Sequence, residues 1–197
     1  MTNNLAHAIL AEARTGDLVL FSGRGLVSGT IRLFTGSRWS HVGLVLRGHD
    51  GTLLMLEATN TDEAVDITLG RAICGVQLVQ LAEKLANYDG VVVLRRLEMD
   101  ERPEGFDELV RDMAELWRWR AYKDFTTTLL LDLLTANRLP QRVDRVFCSE
   151  LVAEVYKRLG VMCRGVRSSR YVPGDFGLDE PPFLRDARLS APLLLKV

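Results

Sequence analysis

Cys148, His41 and Glu57 are the residues of this 197-residue chain whose types and settings suit covalent chemistry. Cys148 lies in the stretch Val146-Phe147-Cys148-Ser149-Glu150-Leu151-Val152-Ala153-Glu154-Val155-Tyr156-Lys157-Arg158-Leu159-Gly160. Cys148, Leu151, Val152, Val155 and Leu159 fall at helical spacing and share one apolar stripe. Gly160 supplies a left-handed stop, and Lys157 and Arg158 put positive charge in the last turn, where the helix dipole favours it. A thiol in the first turn meets unpaired N–H groups and the positive end of the dipole, and both stabilise a thiolate. An ordinary core cysteine fits the same position. Only a partner gives it chemistry.

The chain has three histidines. His7 belongs to an N-terminal helix and His49 to a turn, but His41 is embedded in the strand pattern Ser40-His41-Val42-Gly43-Leu44-Val45-Leu46. A second strand, Thr52-Leu53-Leu54-Met55-Leu56-Glu57-Ala58, follows the turn-rich Arg47-Gly48-His49-Asp50-Gly51. With Leu46 and Thr52 as the closing pair, His41 falls directly opposite Glu57 on the same face, with Cβ atoms roughly 5 Å apart. A two-residue slip makes them diagonal neighbours, and a one-residue slip puts them on opposite faces. A carboxylate that accepts from one imidazole nitrogen fixes the tautomer and raises basicity, leaving the other nitrogen to take a thiol proton. A cysteine–histidine ion pair lowers a thiol pKa from about 8.5 to roughly 3.5–7.5, which gives a nucleophile at neutral pH. Each residue alone has an innocent structural reading. Together they form nucleophile, base and orienter.

The elements that must position these groups are legible in outline. Asn4–Arg14 reads as a helix, Asp17–Ser22 as a strand, and Leu26–Phe34 as a short helix closed by Thr35-Gly36-Ser37. Beyond the hairpin come a short strand at Val65–Ile67, an alternating strand at Val76–Leu81, a helical turn or two over Ala82–Tyr88, and a central strand at Gly90–Leu97. An amphipathic helix spans Pro103–Arg120 and a second helix Thr127–Arg138, before the cysteine helix. Arg164–Gly177 is basic and irregular, and Ala187–Val197 adds an edge strand.

Composition narrows the classes. At 47% hydrophobic and 26% charged, the chain has the makeup of one soluble globular domain spanning residues 1–197. A formal net charge of −1 offers no electrostatic case for nucleic acid or an anionic membrane, and no apolar run is long enough to cross a bilayer. Cys74, Cys148 and Cys163 are an odd number without metal-ligand spacing, so neither a disulfide framework nor a metal site is expected. No cofactor motif is present: the early glycines lack the lysine and hydroxyl residue of a phosphate loop. The N-terminal residues lack the basic-then-apolar pattern of a signal peptide, so a cytoplasmic location is the expectation, with export by another route left open. Trp39 and Tyr122 are candidate pocket residues; core or surface packing is the commoner use of such a tryptophan, and packing is an equally ordinary use of Tyr122. Arg164, Arg167 and Arg170 read as a solvated loop or as a seat for an anionic substrate group.

Five stretches occur in a telling order: Gly16–Phe21, Ser37–Leu44, Leu56–Thr59, Phe147–Leu151 and Tyr171–Asp175. Over Gly16–Asp175 the chain resembles the YiiX/YebB-like (YaeF-like) family of circularly permuted, papain-like, NlpC-type cysteine hydrolases. Its most specific parts are Ser40-His41-Val42-Gly43 and Cys148-Ser149-Glu150-Leu151, with histidine before cysteine as in the permuted group. The resemblance implies an α+β fold, in which an antiparallel sheet carrying the histidine and acid packs against a helix presenting the cysteine. It also implies Cys148 as nucleophile, His41 as general base and Glu57 as orienting acid. Relatives often carry tyrosine-aspartate near Tyr122, whereas Lys123 follows here. The Cys148 backbone N–H is the expected oxyanion donor.

Three functions follow as expectations. The first is a cysteine hydrolase cleaving a peptide-type amide through an acyl-enzyme. The second is a lipid acyl hydrolase or acyltransferase like the lecithin–retinol acyltransferase group, favoured if Leu26, Phe34 and Trp39 line a groove. The third is a non-catalytic binding or structural module on the same fold. A small peptide, amide or acyl-lipid is the expected partner, and oligomeric state is open.

Overall fold

The computed structural model describes residues 2–60, 64–122 and 145–197. In chain order its main elements are α1 (Thr2–Ala11), β1 (Leu18–Gly23), α2 (Leu26–Thr35), β2 (His41–Arg47), β3 (Leu53–Thr59), β4 (Gly75–Gln80), α3 (Leu81–Asn87) and β5 (Gly90–Arg95). There follow β6 (Leu97–Met99), α4 (Phe106–Trp117), β7 (Ala121–Tyr122), β8 (Arg145–Val146), α5 (Cys148–Arg158), β9 (Ala187–Leu189) and β10 (Leu193–Lys196). The helix expected over residues 127–138 lies outside the described residues. The class is α+β. One sheet has the order β10-β5-β1-β2-β3-β4-β7-β8, antiparallel except for the β7–β8 pair, and β6 and β9 form a small ribbon beside it.

Strand alternation sorts the core into two layers. Leu18, Leu20, Val42, Leu44, Leu56, Ala58, Val76 and Leu78 face one side, packed with α4 and α5 through Val110, Met113, Leu151, Val152 and Val155. Val19, Phe21, Val45, Met55, Val79, Val92 and Leu94 face the other, with Ile9 of α1 and Leu81 of α3. Sheet faces covered on both sides explain the nearly unbroken apolar runs in β1 and β5. The Gly90–Leu97 strand expected at the centre stands second from the β10 edge, paired with β1 and β10. The Val65–Ile67 segment makes only an isolated bridge, Asp66 to Val79.

The hairpin keeps the expected face but shifts by two residues. Arg47 pairs with Leu53 and Leu44 with Leu56, rather than Leu46 with Thr52. The turn is the reason: Asp50 accepts the Thr52 N–H at 2.9 Å and its hydroxyl at 2.7 Å, and Gly51 takes a φ of 85°. His41 and Glu57 are therefore diagonal rather than directly opposite. The β2–β3 ladder ends at Leu44 and Leu56, whereas His41 continues to pair with Phe21 of β1. A seam between β2 and β3 thus opens at the end of the sheet where His41 and Glu57 stand.

Candidate active site

The N-terminus of α5 meets this seam. Phe147 precedes the helix with extended backbone, and its N–H donates to Glu150 Oε2 at 3.3 Å, half of a capping box. Ser149 Oγ donates to the Tyr171 carbonyl at 2.6 Å, tying the loop at residues 171–173 to the first turn. Cys148 is buried between these anchors, and the Val42 and Ser149 N–H groups donate to its sulfur. Where β3 no longer pairs with β2, the Val42 N–H turns to sulfur.

Glu57 and His41 complete the line. Glu57 Oε2 lies 2.7 Å from His41 Nε2, so Nδ1 is the ring nitrogen left for the Cys148 thiol. Long side chains span the diagonal that the shifted register imposes. Burial alone would neutralise the imidazole, but the charge and hydrogen bond of Cys148, joined by those of Glu57, raise its pKa to about 9. Burial likewise pushes the thiol up, yet the charge and hydrogen bond of His41, with the two backbone N–H donors, hold it below the ordinary thiol value. This combination favours a thiolate–imidazolium pair.

Two residues that the sequence did not reveal hold the acid. Gln77, directly opposite Glu57 on β4, donates its side-chain amide to Oε1 at 2.9 Å. Lys84 of α3 brings its Nζ to 3.1 Å from the same oxygen. Burial raises the Glu57 pKa, but the Lys84 charge foremost, then His41 and Gln77, bring it down to about 2. Lys84, Glu57, His41 and Cys148 thus alternate in sign and sum to zero, the condition under which buried charges are tolerable. Alternation in β4 offered a signal for Gln77. A lysine in Leu81-Ala82-Glu83-Lys84-Leu85 carries none, because it has the look of a surface residue.

A cavity of about 110 Å³ opens onto the thiol, lined by Ile31, Thr35, Ser40, Tyr122, Phe147, Cys148, Ser149, Ser169, Tyr171, Val172 and Pro173. Tyr122 lies on this wall, its ring 6.0 Å edge-on from Phe147. Trp39 does not. Its indole is 4% exposed and packs where a side chain at Gly177 would have to go, so the structure puts it in the core instead of the groove. The other cysteines are elsewhere: Cys74 is exposed, and Cys163 accepts from Arg185 Nε at 3.0 Å. Among the described residues, no helix is long and apolar enough to cross a membrane.

Comparison with protein families gives no match, and comparison with curated proteins gives none either. Among solved structures, the chain is similar to that of the metalloprotein YiiX from Escherichia coli O157:H7, also designated DUF1105. Identity is 23%, the TM-score is 0.54, and the match covers 79% of this chain and 69% of that one. The metal belongs to the description of that protein; among the described residues here, no group of three His, Cys, Asp or Glu side chains is placed to hold one. What the two proteins share at this identity is a fold.

Proposed function

We propose that this protein is a cysteine hydrolase of the permuted papain-like type, cleaving an amide bond through a covalent acyl-enzyme. The observation that carries this reading is the line of buried Cys148, partly buried His41 and buried Glu57, with the imidazole pKa raised to about 9 beside a thiol held low. The histidine-before-cysteine order fits the permuted group. The thiolate attacks the carbonyl carbon, and the carbonyl π pair moves onto oxygen. The Cys148 N–H, at the first helical position and without an intrahelical acceptor, donates to that oxyanion. Collapse of the intermediate expels the amine, which takes the proton from His41. Neutral His41 then removes a proton from water as the oxygen attacks the thioester; the carbon–sulfur bond breaks, the carboxylic acid leaves and ionises in solvent, and the thiolate–imidazolium pair is restored. Lys84 and Gln77 act on the acid that orients His41 and touch no reacting atom.

A second reading, hydrolysis or transfer of a lipid acyl group, draws support from the apolar wall of the cavity. Ile31, Phe147, Tyr171, Val172 and Pro173 suit a hydrocarbon better than a polar peptide. A panel of peptide amides, acyl-amino acids and phospholipids separates the two, with Cys148→Ala as control. Turnover of an amide that is lost in Cys148→Ala supports the first reading. Cleavage of phospholipid alone supports the second, and turnover unaffected by Cys148→Ala overturns both.

A further inference from the structure

The near-zero net charge conceals an uneven distribution. Between Asp17 and Asp50 the chain has no acidic residue but four arginines, and between Glu154 and Asp175 it has none against Lys157, Arg158, Arg164, Arg167 and Arg170. These two segments supply most of the wall of the catalytic cavity: Ile31, Thr35 and Ser40 from the first, and Ser169, Tyr171, Val172 and Pro173 from the second. They also touch, since a side chain at Gly174 would collide with Ser37. The exposed Arg38 follows that contact in the chain, and the exposed Arg170 stands between two cavity-lining residues.

The first segment also has an outward apolar stripe. Leu26 and Leu33 of α2 are one heptad apart, which returns them to the same side of the helix, and they are 92% and 81% exposed. Thr30 lies between them with its hydroxyl donated to the Leu26 carbonyl at 3.0 Å, so its polar atom is engaged by the helix itself. Arg24 and Arg32 occupy the same stretch of chain, Arg24 being exposed. Exposed leucines on a short helix bordered by arginines are the signature of an element that lies in a lipid–water interface. A soluble polyanion would use the arginines and leave the leucines idle.

We propose that α2 and the Arg164–Gly174 segment dock the protein on an anionic lipid surface, with the mouth of the cavity turned toward it. The orientation toward substrate rests on the acyl-transfer reading of Cys148; the docking does not. Cosedimentation therefore uses the Cys148→Ala protein, with vesicles of phosphatidylcholine alone or mixed with phosphatidylglycerol. Binding is expected to the mixed vesicles, to weaken with salt, and to fall roughly fivefold for each of Arg38→Gln and Arg170→Gln. Leu26→Ser with Leu33→Ser is expected to reduce it at least tenfold while circular dichroism and thermal midpoint stay unchanged. No preference for the anionic vesicles, or binding indifferent to the two leucines, overturns the proposal. So does equal, leucine-independent binding to an oligonucleotide, or self-association that the leucine variant abolishes. Hydrolysis of a water-soluble amide by the wild-type protein is read separately, so failure of docking and failure of catalysis are distinguishable.

Discussion

Lys84 brings its ammonium to 3.1 Å from the Glu57 carboxylate, with the two side chains 1% and 0% exposed. The Glu57 carboxylate is therefore neutralised from behind while it holds His41 in front. Replacing Lys84 with methionine leaves a buried carboxylate short of a counter-charge. The expected loss is ~3–5 kcal/mol in a denaturant titration. The His41 pKa should rise further in that variant, because Glu57 then answers to the imidazole alone, and NMR titration of the ring reads it. Combining Lys84→Met with Glu57→Gln should restore much of the stability and lower the imidazole pKa. An unchanged unfolding midpoint in Lys84→Met would refute the role.

Alkylation tests the ion pair directly. At pH 6.5 an ordinary thiol is only ~1% thiolate, so a paired thiolate has up to roughly a hundredfold advantage. Iodoacetamide should modify Cys148 ahead of Cys74 and Cys163 despite the exposure of Cys74. His41→Ala should remove most of that lead. Equal rates at all three thiols would count against an activated nucleophile.

The pH dependence has a defined direction at each end. His41, raised to about 9, stays protonated at neutral pH and loses its proton as pH climbs through that value. Since the leaving amine needs that proton, kcat/KM for an amide should decline through about pH 9. Glu57, lowered to about 2, contributes stability that is present above its unfolded value near 4.5 and fades as pH falls toward 2. Unfolding midpoints measured between pH 5 and 2 should drop in wild type and less steeply in Glu57→Gln.

Ser149 anchors the cavity wall through the Tyr171 carbonyl. Ser149→Ala deprives that carbonyl of its donor at a cost of about 1–3 kcal/mol. Because the tie positions a binding wall, KM should rise more than kcat falls. A variant with a proportionate loss of kcat and no change in KM would place Ser149 in the chemistry instead.

The parts of the fold that were readable share a cause: each has one strong periodic signal. The hairpin, the two amphipathic helices around Met113 and Val152, and the cysteine at a helix start all follow from alternation, heptad-like spacing and stop residues. Face, too, was readable, because a two-residue shift preserves it. Register was not, since it depended on Asp50 folding back on Thr52. Lys84 escaped for a similar reason: its role comes from packing α3 across Glu57, which leaves no trace in local spacing. Trp39 misled because a large aromatic beside a histidine suits a pocket wall as well as the core, and packing against Gly177 decides the matter.

The seam at Leu44 and Leu56 is filled from a distant part of the chain. His41, Glu57, Gln77 and Lys84 lie within one run of chain and emerge from the ribosome early. Cys148 comes roughly a hundred residues after His41, and closing that span costs about 4 kcal/mol of chain entropy before any contact offsets it. A nascent chain can thus bring Lys84, Gln77, Glu57 and His41 together before Cys148 is made. The gap between β2 and β3 is the berth that keeps a place for the late helix, and the thiol meets His41 only when α5 docks. In this topology Cys148 is the last member of the line to be made.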